Sequence, residues 1–170
     1  MFNKLIVILF AVFFTACSQK YPTLVTVKNV EIEKYTGSWY EIARFEHFFE
    51  KGCKNVTATY SIKDDGDLEV INHCTKIEDN EKKQATGSAY AVDQTNSKLK
   101  VSFFRPFYGD YYIIELADDY SYAMVGSPSR EYLWILSRTK TISKQTKQRL
   151  LSKASSLGFD TNKFIWTLQE

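Results

Sequence analysis

Reactive side chains are few in this chain of 170 residues, and their types and spacing exclude more chemistry than they allow. The thiols are Cys17, Cys53 and Cys74, and the imidazoles are His47 and His73. A structural zinc site takes four nitrogen or sulfur ligands at close spacing. Two histidines and no Cys-x-x-Cys do not supply one, so no metal is expected. Glu41 and Glu115 sit in β-prone runs with no second acid placed beside them, and are read as isolated carboxylates rather than a general acid–base pair. The net charge of +2 is nearly neutral and its charges are scattered. Without a basic stripe, no nucleic-acid partner is expected. No cofactor is implied.

The clearest assignment is that of Cys17. Lys4 supplies a positive start, and Leu5 to Phe14 is an unbroken apolar run too short to span a bilayer as a mature helix. The run leads into Phe14-Thr15-Ala16-Cys17, small residues directly before a cysteine. This pattern resembles a bacterial lipoprotein signal: residues 1–16 form the signal peptide, the Cys17 thiol carries diacylglycerol, and its new amino group carries a further acyl chain such as palmitate. Two or three chains anchor firmly where one binds only marginally. Ser18, in place of the aspartate that retains such proteins at the inner membrane, points to a lipid anchor in the outer membrane, facing the periplasm. With Cys17 taken by lipid, Cys53 and Cys74 remain, and an even pair in an oxidising compartment reads as a disulfide.

These side chains must be positioned by strands. About 150 residues remain after the signal, one domain by length. Beyond a linker over residues 17–29, the chain is a succession of short β-prone runs broken by turn signals. Strands are expected near Trp39–Phe45, Lys54–Ile62, Leu68–Cys74, Gln84–Val92, Leu99–Phe104, Tyr111–Leu116, Tyr122–Val125 and Tyr132–Arg138. Asp64-Asp65-Gly66-Asp67 marks a hairpin. Eight antiparallel strands with short links predict an all-β, up-and-down barrel. A helix follows, with Ser143 as N-cap, Leu150, Leu151, Ala154 and Leu157 on one face, and Gly158 just past its end. Its apolar face is expected on the barrel exterior, against Leu133 and Ile135. Phe164 to Leu168 reads as one more strand.

Gly37-Ser38-Trp39-Tyr40-Glu41-Ile42-Ala43-Arg44 resembles the Gly-x-Trp signature that opens the first strand of lipocalins. Asp119-Tyr120-Ser121-Tyr122-Ala123 resembles the second motif of that family. Tyr132-Leu133-Trp134-Ile135-Leu136-Ser137-Arg138 resembles the third, whose arginine packs across the tryptophan of the first. The similarity spans about Val30 to Trp166 and is nearest to the bacterial outer-membrane and apolipoprotein D-like subgroup. It implies a lipocalin domain over residues 30–170, with Gly37, Trp39 and Arg138 as its structural signature. It also implies roles in envelope maintenance, lipid storage or stress response. Alternation then puts the connections Glu46–Cys53, Lys76–Lys83, Arg105–Asp110 and Ser127–Glu131 at the open end. Cys53 and Cys74 fall on adjacent strand ends beside that mouth, within reach of disulfide geometry.

Parity along the strands proposes the lining of the barrel. Val56, Ala58 and Tyr60 share one face, as do Leu68, Val70 and Asn72, and Val101 and Phe103. Trp134 lies on the face of Arg138. Tyr111/Ile113 and Tyr112/Ile114 are equally apolar, and the family resemblance favours Tyr111 inward; Tyr108 is placed at the mouth. The expected ligand-binding set is therefore Val56, Ala58, Tyr60, Val70, Asn72, Phe103, Tyr108, Tyr111 and Trp134. Aromatic walls with a few neutral polar tips suit fatty acids or lysophospholipids rather than sugars or nucleotides. Lys51, Lys54 and Arg105 are candidates to attract an anionic head group. The reading is a noncatalytic lipid carrier attached to the membrane through Cys17. A lipid-modifying lipocalin enzyme and an envelope interaction protein with a filled barrel are the alternatives, the latter working through Tyr112 or the Phe104–Tyr108 loop. Whether the chain is a monomer or a homodimer is left open.

Overall fold

The computed structural model describes residues 21–170; the signal peptide and Cys17 lie outside the described residues. The strands are β1 (Gly37–Phe45), β2 (Cys53–Ile62), β3 (Leu68–Lys76), β4 (Lys82–Ala91), β5 (Lys98–Phe104), β6 (Phe107–Leu116), β7 (Tyr122–Gly126), β8 (Leu133–Ser137) and β9 (Phe164–Trp166). A short helix, α1 (Ile32–Tyr35), precedes β1, and α2 (Lys144–Ser156) follows β8. Strands β1 to β8 pair antiparallel in sequence order, and β8 pairs with β1 to close the barrel. The fold is the expected eight-stranded up-and-down barrel with a helix packed outside.

Alternation splits the apolar residues into two cores. Trp39, Tyr60, Leu68, Val70, Leu99, Ile113 and Val125 pack inside the barrel. Ile42, Phe45, Ile114, Met124, Leu133 and Ile135 face outward, where Leu150 and Ala154 of α2 cover them. The Ser143 hydroxyl caps α2 by accepting from the Thr146 N–H. At the other end Gly158 takes φ +85°, so that its N–H reaches Ser155 O and the Phe159 N–H reaches Ala154 O. This is the paired C-terminal closure that a left-handed glycine permits.

One end of the barrel is sealed. α1 lies beneath it, with Tyr35 fully buried against the Trp39 ring at 4.9 Å. The Trp39 Nε1–H donates to Tyr35 O at 2.8 Å. The Arg138 guanidinium sits 3.8 Å from the Trp39 ring centre and donates to the carbonyls of Lys34, Tyr35, Thr36 and Ser38. Arg138 therefore ties the end of β8 to α1 and the start of β1, using a fork that lysine lacks. Arg138→Ala is expected to cost about 2–4 kcal/mol from the cation–π contact and the charged hydrogen bonds. Thermal melts should show it as a fall in Tm of about 5–10 °C, and Arg138→Lys should recover less than half.

Three features depart from the sequence reading. β6 begins at Phe107, so the expected loop Arg105–Asp110 shrinks to a turn at Arg105-Pro106, with Phe104 opposite Phe107 and Lys100 opposite Asp110. Pro106 and Gly109 look like loop residues, but only Pro106 lies outside the strands. Residues 21–29, read as linker, lie along the barrel: Leu24 is buried and the Val27 N–H donates to Ile113 O. Finally, β1 leaves β2 after Tyr40 pairs with Thr57, and the C-terminal segment fills the seam. There Gln169 Nε2 donates to Glu41 O on β1 and Val56 O on β2, while the Asn55 N–H donates to Leu168 O.

Candidate functional site

The open barrel encloses a cavity of about 720 Å³. That lies within the usual range for small-molecule pockets. All nine residues expected on its wall are there: Val56, Ala58, Tyr60, Val70, Asn72, Phe103, Tyr108, Tyr111 and Trp134. The ambiguity of β6 resolves with Tyr111 inward and Tyr112 and Ile114 in the outer core.

Three levels follow from the register. At the floor, the Tyr111 hydroxyl lies 2.8 Å from both the Tyr35 and the Tyr60 hydroxyls. Burial pushes all three phenols up, so they stay neutral. Midway, Ala58 faces Asn72 across β2–β3, and Asn72 faces Ala85 across β3–β4. This row of Ala58, Asn72 and Ala85 lies on the cavity wall. Gly87 lies under the Phe103 ring: a β-carbon there would come within 2.6 Å of Ser102 O and 2.8 Å of the ring. Asn72 is on the wall, with its Oδ1 buried and without a hydrogen-bond partner.

The mouth is where the sequence reading falls short. The lining was expected to carry no charge cluster and Glu41 to be an isolated acid; both expectations are corrected. Glu41 and Glu50 both reach the cavity wall. Glu41 Oε1 is 2.6 Å from Arg44 Nη1 and also bonds the Thr167 hydroxyl. Glu50 Oε2 lies 3.1 Å from His47 Nε2 and accepts from Trp134 Nε1 at 3.4 Å. Arg44 Nη2 also holds Glu50 O at 2.8 Å. A β-bulge between Glu41 and Ala43 explains the surprise. Strict alternation from Trp39 would bury Ala43 and Phe45 inside; the extra residue turns Arg44 inward opposite Trp134 instead. Glu115, by contrast, faces Arg149 and Lys153 on α2, outside the barrel.

Aromatic rings flank the cluster. His47 stacks on Phe49 at 3.7 Å, and Tyr132 stacks on Trp134 at 5.9 Å with planes 8° apart. The lysines on the wall are Lys76 and Lys83. Of the cations proposed for a head group, Lys54 pairs with Glu170 and Arg105 donates to Ser88; neither they nor Lys51 are on the wall. The Cys53–Cys74 disulfide is formed, with Cα atoms 5.6 Å apart. Cys74 is on the cavity wall.

Burial, then the neighbouring Glu50 charge, lift the Glu41 carboxyl to about 8 against the pull of Arg44 and Thr167. Burial would also raise Glu50, but the His47 hydrogen bond and charge, with Glu41 and Arg44, bring it below its ordinary value. The signs oppose. Glu41 takes up a proton on folding, so its stabilisation is complete below its ordinary value of 4.5 and is lost as the pH rises toward 8. Glu50 stabilises above its ordinary 4.5 and loses this as the pH falls through its depressed value. Stability, and with it Tm, is therefore expected to fall between about pH 5 and pH 8, by at most about 1 kcal/mol per pH unit. Glu41→Gln should flatten that slope and raise Tm at about pH 8, checked by calorimetry across the series.

A family model described as a lipocalin-like domain matches residues 30–169. The chain belongs to the lipocalin family. It is 50% identical over 157 residues to "Outer membrane lipoprotein Blc" of Escherichia coli K12, covering 91% of this chain and 89% of that protein. The protein of the same name from Vibrio cholerae is 41% identical over 170 residues, with 99% of each chain covered. Among solved structures, insecticyanin from the tobacco hornworm Manduca sexta superposes with a TM-score of 0.69 at 20% identity, covering 86% of this chain and 85% of that one. At that identity the likeness bears on the fold alone.

Proposed function

We propose that this lipocalin is a noncatalytic carrier of small amphipathic lipids, fatty acids or lysophospholipids, anchored to the outer membrane through a lipidated Cys17. The observation that carries the reading is the graded cavity. Its floor and walls are apolar with neutral hydroxyls, and its polar and charged groups gather at the mouth. An acyl chain buried there gains about 25 cal/mol per Å² without needing directional partners. Its head group would meet Lys76, Lys83 and Glu50, which line the mouth. The names of the Escherichia coli and Vibrio cholerae relatives, and the cysteine after a short apolar run, support the membrane attachment. Lipocalins are in general binding or transport proteins. Here the thiols of Cys53 and Cys74 are joined, and Glu41 and Glu50 are engaged by Arg44 and His47, an arrangement suited to holding a ligand rather than turning it over.

Native mass spectrometry with lipid extraction, on a soluble form starting at Ser18 purified from a periplasm, tests this. A co-purifying fatty acid or lysophospholipid, reduced about tenfold or more by Trp134→Ala, is the expected result; tenfold is about 1.4 kcal/mol of binding. An empty protein whose tryptophan fluorescence no lipid quenches would sink the carrier reading.

A further inference from the structure

The open rim carries the largest exposed aromatic side chains of the described residues. Phe48 is 86% exposed, Phe104 74% and Phe107 70%, with Phe49 and Ile77 about half exposed. They come from three separate connections: the segment after β1, the β5–β6 turn and the β3–β4 turn. All three lie at the end opposite Trp39 and Arg138. Phe104 and Phe107 stack in parallel, ring centres 6.2 Å apart. Large apolar side chains exposed together at one end of a folded protein point to an interaction site.

Two further observations identify what covers it. The first is where the chain enters the structure. Arg130, in the β7–β8 turn at the open end, donates to Pro22 O at 2.9 Å and lies 5.3 Å from the Tyr21 ring. The segment then descends outside the barrel to the closed end, where the Val30 N–H meets Thr95 O. Cys17 is four residues before Tyr21, a reach of at most roughly 14 Å. A lipid on Cys17 therefore holds the mouth, not the floor, against the membrane. The second is charge. The turns of the closed end carry Asp64, Asp65, Asp67, Asp93, Asp118 and Asp119 against Lys63 and Lys98, an acidic excess that an anionic lipid surface repels. The apolar residues exposed there, Ile62 and Val92, stand singly among them. At the rim, the acids Glu46, Glu50, Glu78, Asp79, Glu81 and Glu131 are matched by Lys51, Lys76, Lys82, Lys83, Arg105 and Arg130.

We propose that the open rim docks on the bilayer surface through Phe48, Phe104, Phe107 and Ile77, so that lipid passes between membrane and cavity without crossing water. Phe and Ile side chains gain by burying apolar area in the boundary between head groups and acyl chains. The orientation rests on the lipidated Cys17 of the reading above.

The test places a photo-crosslinking benzoylphenylalanine at Phe104, Ile77 or Asp119 of the full-length protein, reconstituted in phosphatidylethanolamine/phosphatidylglycerol vesicles. Phospholipid adducts are expected at positions 104 and 77 and not at 119; equal adducts at both ends, or none at the rim, would overturn the docking. Repeating it with Ala85→Trp, which obstructs the cavity, separates the two readings. Rim adducts that persist belong to the bilayer, and adducts that vanish came from a cavity ligand and refute docking. Mass analysis of the N-terminal peptide checks acylation of Cys17, and an unmodified cysteine would remove the orientation argument. In the soluble form, Phe104→Ser/Ile77→Ser changes two side chains that are not themselves on the cavity wall. It should keep lysophospholipid affinity in solution and slow transfer from vesicles at least tenfold; unchanged transfer would overturn the proposal.

Discussion

Ala85→Trp is expected to weaken lipid binding severely while leaving the barrel folded. Ala85 stands in the row Ala58–Asn72–Ala85, where the cavity wall is lined by short side chains. In a filled core, an added indole would force neighbours off their rotamers at a cost of about 1–3 kcal/mol in stability. Here the side chain points into open volume, so that cost falls on the ligand instead. The expected loss of affinity is about 10–100-fold, the same energy expressed as binding, read by displacement of a fluorescent fatty acid. Thr86→Trp, one residue along and on the outer face by parity, is the control and should bind normally. Retained binding by Ala85→Trp would place the ligand outside the barrel. A collapse of Tm would show that the position was packed, which is the filled-barrel alternative.

The contrast between Ala85 and Arg44 shows what the sequence makes legible. Strand existence, the turn at Asp64–Asp67 and the inward face of β2, β3 and β5 follow from a period of two, and the period holds wherever the ladder is regular. That is why Val56, Ala58, Tyr60, Val70, Asn72 and Phe103 could be chosen in advance by parity, whereas Tyr111 needed the family resemblance. The period fails at the bulge between Glu41 and Ala43, and with it goes the inward turn of Arg44. A bulge has no composition signal in Glu41-Ile42-Ala43, whose residues are all ordinary strand residues. Glu50 was missed for a different reason. It enters the cavity from a short turn of helix, Phe48–Glu50, and loop geometry is set by what the loop packs against, here Arg44 and His47. Thr167 and Gln169 show the same limit at long range: they meet Glu41 across more than 120 residues of sequence. The motif Gly37-x-Trp39 with Arg138, by contrast, was legible because one cation over one indole closes the floor and leaves both residue types fixed.

Removing the disulfide, by Cys53→Ser with Cys74→Ser, is expected to cost about 3 kcal/mol, as for a loop of 21 residues in the chain-entropy account. Tm should fall by about 6–12 °C. The effect should also be local, because of where the bond lies. β1 and β2 separate above Tyr40 and Thr57. From there to Cys53, the inner edge of β2 is held by single backbone bonds such as Asn55 to Leu168, and by Gln169. Its other edge pairs with β3 through a register shift between Lys54 and Thr57. Cys53–Cys74 is the covalent tie across that irregular pairing, beside the cavity mouth. Without it, amide exchange should accelerate first at Cys53→Ser through Val56 and at Thr75 and Lys76, while Tyr60, Val70 and Ile113 at the floor keep their protection. If the mouth residues also shape the entrance, lipid release should quicken as the same amides open. Uniformly faster exchange through all eight strands would instead make the bond a global staple with no separate influence on the mouth.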